Sequence, residues 1–120
     1  MLPPLRKKPR KVIRKKIVKD IEPLWSPAHT AFVKRYQCSI PNCEYAGFLK
    51  IDAHHVKTRG SGGGDEWLVS LCRQHHHQFH TIGRHSFDEK HGVNMRQIAR
   101  EFAAASPDPK VRAASREMEI

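Results

Sequence analysis

Trp67-Leu68-Val69-Ser70-Leu71-Cys72, followed at once by Arg73-Gln74-His75-His76-His77-Gln78-Phe79-His80, is the stretch that decides the fold. Its first half, with Leu68, Val69 and Leu71, reads as a strand. Its second half reads as a helix over residues 73–81. Upstream, residues 48–56 are also strand-like. Between the strands, residues 57–65 carry Gly60, Gly62, Gly63 and Gly64 and read as a mobile loop. The two strands and this loop make a β-hairpin that runs straight into a helix. The expected class is therefore small α+β.

Outward from this unit, residues 25–36 read as a short helix. Ser26 can cap it, with Pro27 at the first helical position, where a missing N–H costs nothing. Residues 38–43, Cys-Ser-Ile-Pro-Asn-Cys, form a tight turn. Residues 86–92 read as a short helix or turn, capped by Ser86 and ended by Gly92. Residues 94–105 read as a helix with Ile98, Phe102 and Ala105 on one face. From Ser106 onward, Pro107, Pro109 and scattered charges read as a frayed tail, with at most a turn of helix near 111–118. The expected organisation is a basic arm over 1–24, a folded domain over 25–105 with its core at 38–92, and a tail over 106–120.

The chain has 120 residues, enough for one small domain with tails. Twenty-two Lys and Arg against twelve Asp and Glu give a net charge of +10. That balance argues against a free-standing enzyme for small metabolites and for a polyanionic partner, nucleic acid before a membrane surface. Arg6, Lys7, Lys8, Arg10, Lys11, Arg14, Lys15 and Lys16 precede the first acid, Asp20, and suit phosphate contacts; a solubilising tail is the plainer alternative. No apolar run is long enough for a transmembrane helix, and no apolar segment follows the basic start as in an export signal. A cytoplasmic location is expected.

A core of about 70 residues usually needs a staple. Three cysteines cannot pair evenly, whereas nine histidines point to metal. Cys38-x4-Cys43 with Cys72-x2-His75 has ligand spacing for a closed tetrahedral structural zinc site. A second set is His54 or His55 on the first strand with His76 and His80, which share one helical face at i and i+4. Neighbours on a regular strand face opposite ways, so one of the pair can meet an ion while the other meets a substrate beside it. Three protein ligands leave positions open for a phosphate oxygen and water. Imidazole donors favour Zn, Ni, Co or Mn over Mg. The plainer readings are unligated thiols and a solvated histidine tract. His77 is expected exposed, His85 and His91 at the surface or facing substrate, and His29 structural.

This order resembles the HNH endonucleases: Cys-x4-Cys, Asp-Ala-His-His-Val, a glycine-rich loop, Trp-Leu-Val-Ser-Leu-Cys, then Arg-Gln-His-His-His-Gln-Phe-His. It is most similar to the small phage and bacterial recombination-enhancement nucleases, over roughly residues 38–92. The resemblance implies a ββα-metal core with a zinc knuckle. It makes His55 the general base and His54, His76 and His80 the ligands of a catalytic ion (Mg2+, Mn2+, Ni2+ or Zn2+). It makes Cys38, Cys43, Cys72 and His75 the structural zinc ligands. The family's middle Asn is absent; Trp67 stands there, and Asp65 or Glu66 is the candidate substitute. The implied activity is metal-dependent nicking of DNA in a bacterial cytosol, by a bacterial or phage-encoded protein, with Lys57, Arg59, Arg73 and Arg84 contacting phosphates. A recombinase is a possible protein partner. The alternatives are a zinc-stabilised nucleic-acid-binding module without cleavage and a small interaction protein.

Overall fold

The structure is a computed structural model that describes residues 23–45 and 50–120, the side chain of Arg59 excepted. Among the described residues it has one two-stranded antiparallel sheet and five helices. In chain order these are α1 (Pro27–Lys34), β1 (Ile51–His55), β2 (Leu68–Cys72), α2 (Arg73–Ile82), α3 (Arg84–His91), α4 (Met95–Ala104) and α5 (Pro109–Ser115). The basic arm, including Arg6, Lys7, Lys8, Arg10, Lys11, Arg14, Lys15 and Lys16, lies outside the described residues. No helix among those described is long and apolar enough to cross a membrane.

The helices start where local chemistry directs. Ser26 accepts the His29 N–H at α1, and Pro27 follows at the first position. Asn94 caps α4 through the Gln97 N–H. Gly92 ends α3 in the left-handed conformation that suits glycine. The start of α3 differs from expectation. Gly83 is its cap and Ser86 sits exposed within it, so the helix starts two residues early and includes Arg84 and His85.

β2 is the buried centre: all five of its residues are inaccessible, and α1, α2 and α4 pack on the hairpin. The register sets His54 opposite Val69 and His55 opposite Leu68. Val69, Leu71, Phe79, Phe87, Met95, Ala99, Ala103 and Val111 form one continuous core. The fully buried face of α4 is Met95, Ala99 and Ala103; Ile98 and Phe102 pack partly buried against the core, and Ala105 is exposed. The small alanines let α4 approach β2 closely. Phe102 meets the ring of Phe32 on α1 and that of Tyr36 just beyond it, at 6.4 and 5.1 Å.

Two other expectations are corrected. The 57–65 connection folds into 3-10 turns at Arg59–Ser61 and Asp65–Trp67, with Gly63, Gly64 and Asp65 buried. A Cβ on Gly63 would lie 2.0 Å from the Lys57 carbonyl oxygen, so only glycine permits that backbone approach. The segment after Ser106 is not a frayed tail. Asp108 caps α5, Pro109 takes its first position, and Val111 and Met118 enter the core. His29 helps hold this segment: its Nδ1 bonds the Ser106 hydroxyl at 2.8 Å, and its ring is fully buried.

Burial lowers the pKa of His29, partly opposed by Asp65 and Asp108. In the unfolded chain the ring protonates below about pH 6.5, whereas the folded site resists until lower pH. His29 thus contributes stability that is present above that pH and lost as pH falls through it. Urea unfolding between pH 7 and pH 5 should show a steeper loss of stability in the wild type than in His29→Gln. Equal slopes would remove this role.

Candidate metal centres and histidine hollow

The Cys38–Cys43 turn is shaped by its middle. Ile40 is buried in the core, and Asn42 takes the left-handed conformation (φ 55°) that Asn tolerates, turning the chain back. Ser39 N–H donates to the Ser70 carbonyl at 2.8 Å, and the Ser70 hydroxyl donates to the Gln37 carbonyl at 2.7 Å. These bonds stitch the turn to β2. At the end of β2, Cys72 caps α2, its sulfur accepting the His75 N–H at 3.5 Å.

Four donor atoms converge there. His75 Nδ1 lies 3.4, 3.5 and 3.3 Å from the sulfurs of Cys38, Cys43 and Cys72. Cys43 and Cys72 sulfurs are 3.9 Å apart, against about 2.05 Å for a disulfide, and all three cysteines are free. A tetrahedral zinc ion with ordinary bond lengths sets S···S edges of about 3.8 Å and S···N edges of about 3.5 Å. The observed separations match those edges, so the Cys38, Cys43, Cys72 and His75 group can hold a metal such as zinc. Burial pushes the Cys38 thiol up to about 12, and the neighbouring Cys72 and Cys43 sulfurs add to that rise. A bound cation reverses this preference, because it favours thiolates.

The second group lies one step round the same helix. His75 and Phe79 face inward; His76 and His80 face β1. Their Nε2 atoms are 3.1 Å apart, near the roughly 3.3 Å edge that two imidazoles make on a shared tetrahedral ion. His54 completes the group, with one ring nitrogen from each residue within 4.8 Å of the others. The His54 ring is wedged against Phe79 at 4.3 Å, and its Nε2 is buried without a hydrogen-bond partner. Burial, then the charges of His76 and His80, push its pKa down to about 3. A buried ring nitrogen with no partner beside two convergent imidazoles fits a cation ligand.

Asp52 was not singled out from the sequence. It sits two residues before His54 on the same strand face and accepts from His76 Nδ1 at 3.0 Å. This leaves His76 Nε2 directed at His80, the arrangement in which a carboxylate orients a metal-binding histidine. Burial raises the Asp52 pKa, but the His76 hydrogen bond and the charges of Arg73, His76 and Lys50 outweigh it, so the net direction is down. The only sequence signal was the i, i+2 spacing from His54.

His55, at the end of β1, joins His54 around one hollow of about 280 Å3, lined also by Ala53, Thr58, His76 and His80. Its Nε2 bonds Asp65 Oδ1 at 2.9 Å. Of the expected phosphate contacts, Arg73 stands beside Asp52 at 3.6 Å with its side chain mostly exposed. Lys57 lies over the Trp67 ring in a separate cleft with Arg96, Glu117 and Glu119, and Arg84 pairs with Asp88 at 3.1 Å. The Arg59 side chain lies outside what is described. Trp67 is a core residue. His77 and His85 are exposed, whereas His91 contacts Gln78 and packs 5.1 Å from the His75 ring, beneath the thiol group rather than in the hollow. No family model, curated protein or solved structure matches the chain.

If the thiol group holds a structural ion, chelator should lower the melting temperature of the zinc-loaded protein by about 10 °C or more. Cys38→Ser should do likewise, while His76→Ala, at a partly exposed position, should not. A chelator shift within about 2 °C would contradict the structural role.

Proposed function

We propose that the protein is a metal-dependent DNA endonuclease of the HNH type, built on a ββα-metal core. One observation carries this reading: His54, His76 and His80 converge on the same hollow that His55 borders from the next strand position. Three imidazoles gathered on one side and a fourth beside them divide the labour that phosphodiester hydrolysis requires. A divalent ion held by His54, His76 and His80 would supply a Lewis acid toward a phosphoryl oxygen.

The chain's own residues do the rest. His55 takes the proton from water as its oxygen bonds to phosphorus; the bond to the 3′-oxygen breaks, and that oxygen takes a proton from solvent, leaving 5′-phosphate and 3′-hydroxyl ends. Asp52 holds His76 in place. Arg73, exposed at the edge of this group, meets the DNA backbone. The net charge of +10 adds sequence-independent affinity that weakens with salt. Zinc on Cys38, Cys43, Cys72 and His75 keeps the helix start fixed. A single such centre suits a nick in one strand.

A second reading is a DNA-binding module that does not cut. It is favoured by Trp67, which fills the family's Asn position with a buried apolar ring. Supercoiled plasmid separates the two. The wild type should nick it with Mn2+, Mg2+, Ni2+ or Zn2+ and not with chelator, and His55→Ala should slow nicking about 10²–10⁴-fold. DNA that shifts in a gel but is never cut under any of these ions would favour the binding module.

A further inference from the structure

We propose that Asp65 fixes the tautomer of His55, so that Nδ1 is the ring atom that takes the proton. This rests on the nuclease reading for its role in catalysis, but the tautomer itself does not. A carboxylate can only accept, so the 2.9 Å contact to Asp65 Oδ1 requires the hydrogen to sit on His55 Nε2. The lone pair of the neutral ring then lies on Nδ1, which has no hydrogen-bond partner among the described residues.

The carboxylate is built in firmly. Asp65 is 3% exposed. Its other oxygen accepts the Ser26 N–H at 2.7 Å, and its own N–H donates to the Leu24 carbonyl at 2.8 Å. Gly64 lets residue 24 come this close, since a Cβ there would lie 2.6 Å from the Leu24 nitrogen. Ser26, which caps α1, also donates its hydroxyl to Asp108, the cap of α5. The end of β1 and the start of α1 are thus tied through the Asp65 carboxylate, and the Ser26 hydroxyl carries the tie on to the start of α5. The arrangement does for His55 what a buried Asp does for the base of a hydrolytic triad, holding it in one tautomer and one orientation. Asp65 acts through His55; it is a positioning residue.

The test uses the zinc-loaded full chain with 15N-labelled histidine. Ring 15N shifts at pH 8 should show the His55 hydrogen on Nε2 in the wild type. Asp65→Asn can still accept the Ser26 N–H through its carbonyl while turning its amide toward His55, which forces the ring hydrogen to Nδ1. The tautomer should invert, and plasmid nicking should fall about 10³-fold or more with KM little changed. Wild-type His55 carrying its hydrogen on Nδ1 would overturn the proposal without any variant. So would an Asp65→Asn protein that keeps the wild-type tautomer or the wild-type rate. Inversion of the tautomer in a protein that never cuts DNA would uphold the positioning role and reject the nuclease reading alone.

Discussion

The cap of one helix controls the rest. Cys72 ends β2, accepts the His75 N–H and stands 3.9 Å from Cys43, so the strand end, the helix start and the cysteine turn meet at one sulfur. A helix N-terminus favours negative charge, and a metal-bound thiolate at Cys72 would supply it. With Cys72 and His75 held together, the rotational phase of α2 is set. Every fourth residue then repeats a face: His75 and Phe79 turn inward, and His76 and His80 turn to β1. One structural ion would thereby position the ligands of another.

The His54 environment shows what that positioning costs. A ring with an unpartnered buried nitrogen is unfavourable by about 1–3 kcal/mol unless something meets it. Protonation does not relieve the cost, since burial and two neighbouring imidazoles oppose the charge. A hydrophobic residue would pack against Phe79 without this penalty. The fold tolerates a histidine there because the core around it is secured elsewhere, by β2, Phe87 and the C-terminal segment.

Much of this was legible in the sequence. The strand-to-helix change at Cys72, the two ligand spacings and the Ser26-Pro27 helix start follow from short-range rules. The parts that were not legible depend on contacts between distant residues. Nothing in the spacing of Asp65 shows that its carboxylate meets the His55 ring, because the intervening loop path is set by Gly63 and Gly64 packing. Asp52 reads as a strand polar residue until α2 is laid across it. The C-terminal helix was read only as a turn in a frayed tail, for a different reason. Pro107 and Pro109 read as breakers, yet Pro109 occupies the one helical position where proline is favoured, and the helix it starts packs on α4 and the Asp65–Trp67 turn, with Val111 and Met118 in the core. On α4, Ile98 and Phe102 pack only at the edge of the core, and the small Ala99 and Ala103 with Met95 make the fully buried face.

The central claim is that one helix carries two metal-binding groups of different chemistry. It is tested most directly by anomalous-difference maps from crystals grown with Zn2+. The account predicts two peaks: one within the Cys38, Cys43, Cys72 and His75 donors, and one on His54, His76 and His80 with at least one coordination position left to solvent. A disulfide in place of the first peak, or no density at the second at saturating ion, would contradict it.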